Sequence, residues 1–339
     1  MSSRSRARLT YVDDDTAFAE LVERHRAELH LHCYRMLGSI QDAEDLVQET
    51  FLRAWSKRAT FEGRSTLRAW LYGIATHACL DALRRRPRRV VPPQVSGPAD
   101  PRVKPSPATD LAWLEPYPDR LLENVVAAGV DPEARLIRRE ATELAFLAAI
   151  QYLPPRQRAV LILRDVVEWS AKDTARSLDT TVVSVNSALQ RARETLRGRW
   201  VAHEADRHAI TLISEAERSL LKQMVDAWER TDAAAVAALL GADARLVMPP
   251  TPSWYDGREA IETFLSRYAF SAGMRGRMRA VATSANRQPA AGVYIRDDQG
   301  RYQPFALLVL TVSAEVVTEM NLFHLPRLFP VCGLPEVLG

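Results

Sequence analysis

Apolar and polar positions alternate with helical spacing through most of the first two hundred residues. From Asp42 to Trp55, Ala43, Leu46, Val47, Thr50, Phe51 and Ala54 recur three or four apart, which predicts a helix with one buried face. Asp42, Glu44, Asp45, Gln48 and Glu49 crowd its early turns and outer side, where acidic groups complement the helix dipole. A second helix is expected from Thr66 to Leu83 on the stripe Leu67, Trp70, Leu71, Ile74, Ala75, Ala78 and Leu83, which leaves Tyr72 and the polar residues for another surface. Further on, Pro154 and Pro155 open a helix carrying Ala159, Val160, Leu161, Leu163, Val166 and Val167. A shorter helix follows from Ser170 to Leu178, with Ser170 as N-cap and Asp173 placed for a capping box. Asp179, Thr180 and Thr181 form a joint, and Val182, Val185, Leu189 and Ala192 then repeat as the inner stripe of another helix. That stripe turns Thr181, Ser184, Asn186, Ser187, Gln190, Arg191 and Arg193 outward, toward solvent or a groove.

The pattern breaks twice. Residues 87–130, with Pro92, Pro93, Pro98, Pro101, Pro105 and Pro107, resist both helix interior and sheet centre and read as a Pro-rich linker. It separates a helical block at 14–86 from a second at 131–199. Helical propensity continues from His203 to Glu229, and from Arg245 the period shortens to runs such as Gly292–Ile295, Phe305–Val312 and Val316–Leu322. These predict a curved antiparallel sheet with one or two helices before it, in a domain spanning 210–330. A length of 339 residues fits two or three domains better than one.

Charge is divided along the chain. Residues 1–200 hold 31 Lys or Arg against 26 Asp or Glu, whereas residues 201–339 hold 14 against 16. The basic excess concentrates at Arg84, Arg85, Arg86, Arg88 and Arg89 and again at Arg191, Arg193, Arg197 and Arg199, the footprint expected of a phosphate-backbone contact. No apolar run is long enough to cross a bilayer, and three widely spaced cysteines, Cys33, Cys79 and Cys332, suggest a reducing cytoplasm rather than a disulfide framework. His30, His32 and Cys33 lack a fourth partner and zinc spacing, so a core role is expected, without metal or cofactor.

Asp42-Ala43-Glu44-Asp45-Leu46-Val47-Gln48-Glu49-Thr50-Phe51, Thr66-Leu67-Arg68-Ala69-Trp70-Leu71 and Asp81-Ala82-Leu83-Arg84-Arg85 together resemble region 2 of bacterial extracytoplasmic-function (ECF) sigma factors of the sigma-70 family. Leu153-Pro154-Pro155-Arg156-Gln157-Arg158 with Gln190-Arg191-Ala192-Arg193 is similar to their region 4. The resemblance implies a multidomain chain with two all-α sigma domains, the second carrying a helix-turn-helix. Its implied partners are RNA polymerase core, through the clamp helices of the largest subunit and the flap of the second-largest, and promoter DNA. Asp42, Asp45, Gln48 and Glu49 would meet the polymerase. Phe61, Arg68, Trp70, Tyr72, His77, Arg84 and Arg85 would serve the −10 element, and Thr181, Ser184, Asn186, Ser187, Gln190, Arg191 and Arg193 the −35 element. His77 stands where the family commonly has asparagine, which implies a shifted −10 preference.

The C-terminal third, with Met248-Pro249-Pro250-Thr251-Pro252-Ser253-Trp254-Tyr255-Asp256-Gly257-Arg258, resembles a SnoaL-like α+β domain of cone shape, and Trp113-Leu114-Glu115-Pro116-Tyr117-Pro118 marks sigma factors that carry one. This implies regulation in cis and a possible small ligand, with Trp254, Tyr255 and Asp256 at a pocket or an interdomain contact. Two other readings stay open: a stand-alone ligand-sensing DNA-binding regulator, and a SnoaL-type isomerase or hydrolase fused to a DNA-binding module. Asp243, Asp256, Glu319 and His324 are the acids and bases available to the latter, but proton abstraction needs a tuned base beside an oxyanion donor. No catalysis is expected.

Overall fold

Ser39, in extended conformation, accepts a hydrogen bond from the Asp42 amide and starts the acidic helix, and Thr66 does the same for Ala69 at the head of the next. Such caps satisfy amides that a helix leaves unpaired. The computed structural model describes residues 15–61, 66–106, 108, 110–127, 142–197 and 213–339. The expected helical stretch over 203–212, Arg199, and 131–141 lie outside them. Among the described residues the chain divides into two units.

The first unit holds α1 (Asp15–Glu23), α2 (Arg26–Leu37), α3 (Ile40–Lys57) and α4 (Leu67–Leu83). After α5 (Asp119–Ala127), it continues with α6 (Leu144–Ile150), α7 (Pro155–Leu161) running into a π turn at Ile162–Val166, α8 (Ala171–Ser177) and α9 (Val182–Arg197). Leu29, Met36, Ala43, Val47, Leu71, Ala75 and Cys79 fill the core of α2–α4, and Leu147, Ile150, Ile162, Leu163, Val185 and Ala192 that of α6–α9. His32 and Cys33 are core side chains of α2, and all three cysteines are free and buried.

A buried cation is one of the links between the two helical blocks. Arg158 on α7 is buried; its Nη1 donates to Gln151 Oε1 at 2.6 Å and to the Met36 carbonyl of α2, and its Nη2 to the carbonyls of Gln151 and Leu153 at 2.8 and 3.3 Å. Burial lowers the guanidinium to about 10. A buried charge is tolerable only with such partners.

In the second unit Ser214 and Glu217 close a capping box at the head of α10 (Glu215–Glu229). There follow α11 (Ala233–Ala238), β1 (Leu240–Val247), β2 (Trp254–Asp256), α12 (Arg258–Phe264), β3 (Met278–Ala285), β4 (Gln288–Arg296), β5 (Tyr302–Ser313) and β6 (Val316–Phe323). The sheet order is β2-β1-β6-β5-β4-β3. It is mixed, because β1 runs parallel to β6 while every other pair is antiparallel, which corrects the all-antiparallel expectation. The sheet is open, with β2 and β3 as its edges, and is not strongly curled, so the expected curved cone is corrected as well. Alternate residues Ala306, Leu308 and Leu310 of β5 join Leu221, Met224 and Trp228 of α10 in one core. The C-terminal turn seats Phe329 and Leu334 against the opposite face at Gly292, where any Cβ would meet Leu334 at 2.6 Å.

Residues 87–130 read as a tether, yet Val90–Leu121 belongs to the sheet unit. Val90 donates to the Ala112 carbonyl and accepts from Leu114, both at 2.9 Å, closing the stretch on itself. Ala99 donates to the Trp254 carbonyl at 2.8 Å and Ala108 to that of Pro250 at 3.1 Å. Tyr117 exchanges two bonds with Asn286, whose Nδ2 donates to the Thr142 carbonyl at 2.7 Å. Prolines keep this strap out of long helices and strands, and Ala99, Ala108 and Tyr117 tie its backbone to the domain.

Candidate nucleic-acid interface

α8 and α9 meet at a left-handed Asp179 (φ 48°), and the Thr180 amide donates to the Ala175 carbonyl at 2.9 Å. Short polar residues tolerate that conformation. Thr181 Oγ1 accepts from the Ser184 amide at 3.1 Å, so this side chain, expected in the groove, caps α9. Ser170 accepts from the Asp173 amide at 3.0 Å; Asp173 does not reach back to the N-cap amide but takes the Ser170 hydroxyl and pairs with Arg176. Those partners, the hydroxyl first, lower its carboxyl below the usual range.

Along α9, Ser184, Asn186, Gln190 and Arg191 are exposed and Ser187 is half-buried, while Val185, Ala188, Leu189 and Ala192 face inward. Val183, 74% exposed beside them, is an apolar side chain on this surface that the sequence reading missed, since it lies off the inner stripe. Arg193 is held by Asp165 through two bonds of 2.9 and 2.7 Å, which raise its pKa. To reach phosphate it must leave that partner.

On α3, Asp45 and Gln48 are exposed and Glu49 is half-buried, bonded to Arg53 at 2.5 Å. Leu52 continues the same face and is 70% exposed. The spacing 45, 48, 49, 52 places all four on one side of the helix, a signal present in the sequence but masked there by the stronger inner stripe. Asp42 stands apart, because Arg86 and Arg89 both close on it, Arg89 Nη2 at 2.7 Å.

The expected −10 set is only partly gathered. Phe61 and Trp70 lie ring to ring at 5.2 Å, both half-buried, and Arg84 and Arg85 are exposed. Tyr72 is 4% exposed, with its hydroxyl on Glu28 Oε2 at 3.2 Å, which corrects its place on a free surface. Arg68 donates to the same carboxylate at 2.7 Å and lies over the Tyr72 ring. Glu28 is buried; the bonds from His25 and Arg68 outweigh desolvation, and its pKa falls. His77 reaches the other helical block: its Nε2 lies 3.1 Å from the Ser177 carbonyl of α8 and 3.5 Å from Asp179. Tyr72 and Trp169 are 5.4 Å apart across the same seam.

In the sheet unit Trp254 grips the strap, donating from Nε1 to the Ser96 carbonyl at 2.9 Å. Tyr255 is fully buried and stacked on Phe264 at 4.3 Å, and burial raises its hydroxyl to about 12. Asp256 faces Arg245 at 3.5 Å. A cavity of about 290 Å³ opens between the helices and the sheet, lined by Trp228, Met248, Tyr268, Phe305 and His324 among others. Of Asp243, Asp256, Glu319 and His324, only His324 lines it, and no carboxylate does among the described residues.

The family description "Sigma-70 region 2" matches residues 21–89 and "Sigma-70, region 4" matches residues 143–196. The chain is 43% identical over 322 residues to ECF RNA polymerase sigma factor SigG of Mycobacterium tuberculosis, covering 95% of this chain and 85% of that protein. It is 29% identical over 198 residues to ECF RNA polymerase sigma factor SigW of Bacillus subtilis, covering 58% of this chain and 96% of the relative. Among solved structures, that of the M. tuberculosis extracytoplasmic function sigma factor SigJ superposes with a TM-score of 0.55 at 21% identity, covering 94% of this chain and 99% of that one, a likeness of fold.

Proposed function

Given that this chain belongs to the ECF RNA polymerase sigma factors, which direct RNA polymerase to promoters, we propose that the described state is its resting form and that the C-terminal domain controls activation in cis through the linker. The observation carrying this reading is the contact of His77 with the Ser177 carbonyl at 3.1 Å. Elements named −10 and −35 lie about 25 base pairs apart, roughly 85 Å of B-DNA at ~3.4 Å per pair. Helices that touch cannot serve both. Activation therefore separates α4 from α8 and uses the chain between residues 87 and 142 as a span.

That span is shortened in the resting form. Pairing of Val90 with Trp113 closes a loop of 23 residues, which removes about 80 Å of reach at ~3.3–3.6 Å per residue. Releasing the strap from the sheet domain restores it, so the C-terminal domain sets how far regions 2 and 4 part. Asp45, Gln48, Glu49 and Leu52 form the face for the polymerase clamp helices. Asp42 joins them once Arg86 and Arg89 move to phosphate, together with Arg84 and Arg85. Ser184, Asn186, Ser187 and Gln190 choose −35 base edges, with Arg191 beside them. The chain carries out no covalent chemistry.

The test is promoter-specific transcription by purified core polymerase with the full chain. Initiation above core alone is expected, and Asp45→Lys with Glu49→Lys should abolish both that signal and co-elution with core. Co-elution unchanged by the double substitution refutes the docking face; no initiation by the unmodified chain on any selected promoter refutes the function.

A further inference from the structure

Val183 is the most exposed large apolar side chain among the described residues, at 74%, and it stands in the first turn of α9. A lone exposed valine signifies little by itself. Its place on the helix decides the matter. At ~100° per residue, positions 183, 187, 190 and 194 fall within an arc of about 60°. Val185, Ala188, Leu189, Ala192 and Leu196 fill the opposite side and are buried. Val183 therefore heads the outermost line of α9, ahead of Ser187, Gln190 and Glu194, rather than flanking the core. Valine also does nothing to start a helix, since its branched side chain is stiff and offers no cap. That task belongs to Thr181, whose Oγ1 accepts from the Ser184 amide at 3.1 Å and fixes the turn in which Val183 sits.

α9 follows the tight joint at Asp179 and lies in the stretch matched by region 4. A helix so placed in a helix-turn-helix presents its N-terminal residues to base edges in the major groove. Every group exposed on those edges is a hydrogen-bond donor or acceptor except the C5 methyl of thymine. Ser184, Asn186, Ser187 and Gln190 can exchange hydrogen bonds with the polar groups, and Gln190 is steadied by its Nε2, which donates to Glu194 at 3.0 Å. The Val183 side chain has no polar atom and is complementary to the methyl alone. Val182, 41% exposed, is turned away from that line by one residue's rotation, about 100°.

We propose that Val183 is a specificity determinant for the −35 element: it packs on the C5 methyl of a thymine and selects that base. The inference rests on α9 being the −35 helix and goes beyond it, because it assigns one base through an apolar contact that the hydrogen-bonding residues cannot make.

The test uses core polymerase with the full chain, and promoters selected by that holoenzyme from duplex DNA randomised over both elements. Each −35 thymine, on either strand, is then replaced by uracil, which removes the methyl and leaves every hydrogen-bonding group in place. One such replacement is expected to weaken holoenzyme binding about fourfold, the effect of losing one buried methyl. Val183→Ser should bring that thymine-to-uracil ratio to about one while binding the uracil promoter within about twofold of the unmodified chain, as an exposed substitution that leaves the fold intact does. Val183→Ile should preserve the ratio, and so should Val182→Ser. A selected −35 element with no methyl-sensitive thymine overturns the proposal and leaves α9 as the reader of that element. So does a ratio that survives in Val183→Ser, or one that falls equally in Val182→Ser. Absence of any selected −35 sequence would instead remove the role of α9 itself, and the proposal with it.

Discussion

Gly73 lies on α4 where it meets α8, and a Cβ there would stand 3.2 Å from Ser177 Oγ and 3.7 Å from the Ser177 carbonyl. Replacing it with leucine places four carbons into that seam. Overpacking of this kind costs about 1–3 kcal/mol. Leucine also improves α4 as a helix by up to ~1 kcal/mol, but that gain is present whether the seam is closed or open and cancels from the equilibrium between them. The closed form should therefore lose about 5- to 150-fold in population relative to the open form. Alanine adds one carbon and requires only a shift of a few tenths of an ångström, so its effect should be smaller. Spin labels at Ser56→Cys and Glu194→Cys, both exposed helical positions, report the separation of the two blocks, since the native cysteines are buried. A single short distance is expected for the unmodified protein, a long component for Gly73→Ala, and a dominant long component for Gly73→Leu. An unchanged distance distribution in a Gly73→Leu protein that retains its helical content would refute the seam as the restraint.

Arg191→Ala should weaken binding of the holoenzyme to promoter by about 1–3 kcal/mol if Arg191 reads a base, and uniformly across −35 sequences with a shallower salt dependence if it contacts phosphate; binding unaffected on every sequence discards both roles. His32 supplies a pH dependence. It is fully buried, with Nε2 at 2.9 Å from Thr76 Oγ1, whose own proton goes to the Tyr72 carbonyl, so Nε2 carries the hydrogen. Burial, followed by the nearby Arg35, lowers its pKa to about 3. The folded pKa lies below the ordinary value near 6.5, so the unfolded chain takes the proton first and stability falls as pH drops from 6.5 toward 3. At pH 5 the loss from this group is about 2 kcal/mol, and denaturant titrations of His32→Phe should show a pH slope reduced by about one proton in that range. A slope identical to that of the unmodified protein would contradict it.

Much of the helical half was legible because its signals are local. Pro154 and Pro155, the Ser170 cap, the Asp179–Thr181 joint and the inner stripe of α9 all act within a turn or two, and the structure places the elements there. What the sequence concealed depends on partners far along the chain. Tyr72 looks like a surface aromatic until Glu28, 44 residues earlier, takes its hydroxyl. The strap looks like a free linker because its prolines preclude helix and strand, yet isolated hydrogen bonds to Trp254, Pro250 and Asn286 leave no periodic trace. The parallel β1–β6 pair was hidden for the same reason, as its strands are some seventy residues apart. Trp254 and Tyr255 read alike in the sequence, as pocket or interdomain residues; the fold gives them different tasks, since neither lines the cavity, one holds the strap and the other fills the core.

The most direct measurement compares promoter-specific initiation by core polymerase supplied with the full chain and with a form ending at residue 205, each at matched occupancy of core. Without the sheet domain the strap has nothing to dock on, and initiation should rise severalfold at equal core binding. Initiation equal to or below that of the full chain, with core binding intact, would contradict control of the linker by the C-terminal domain.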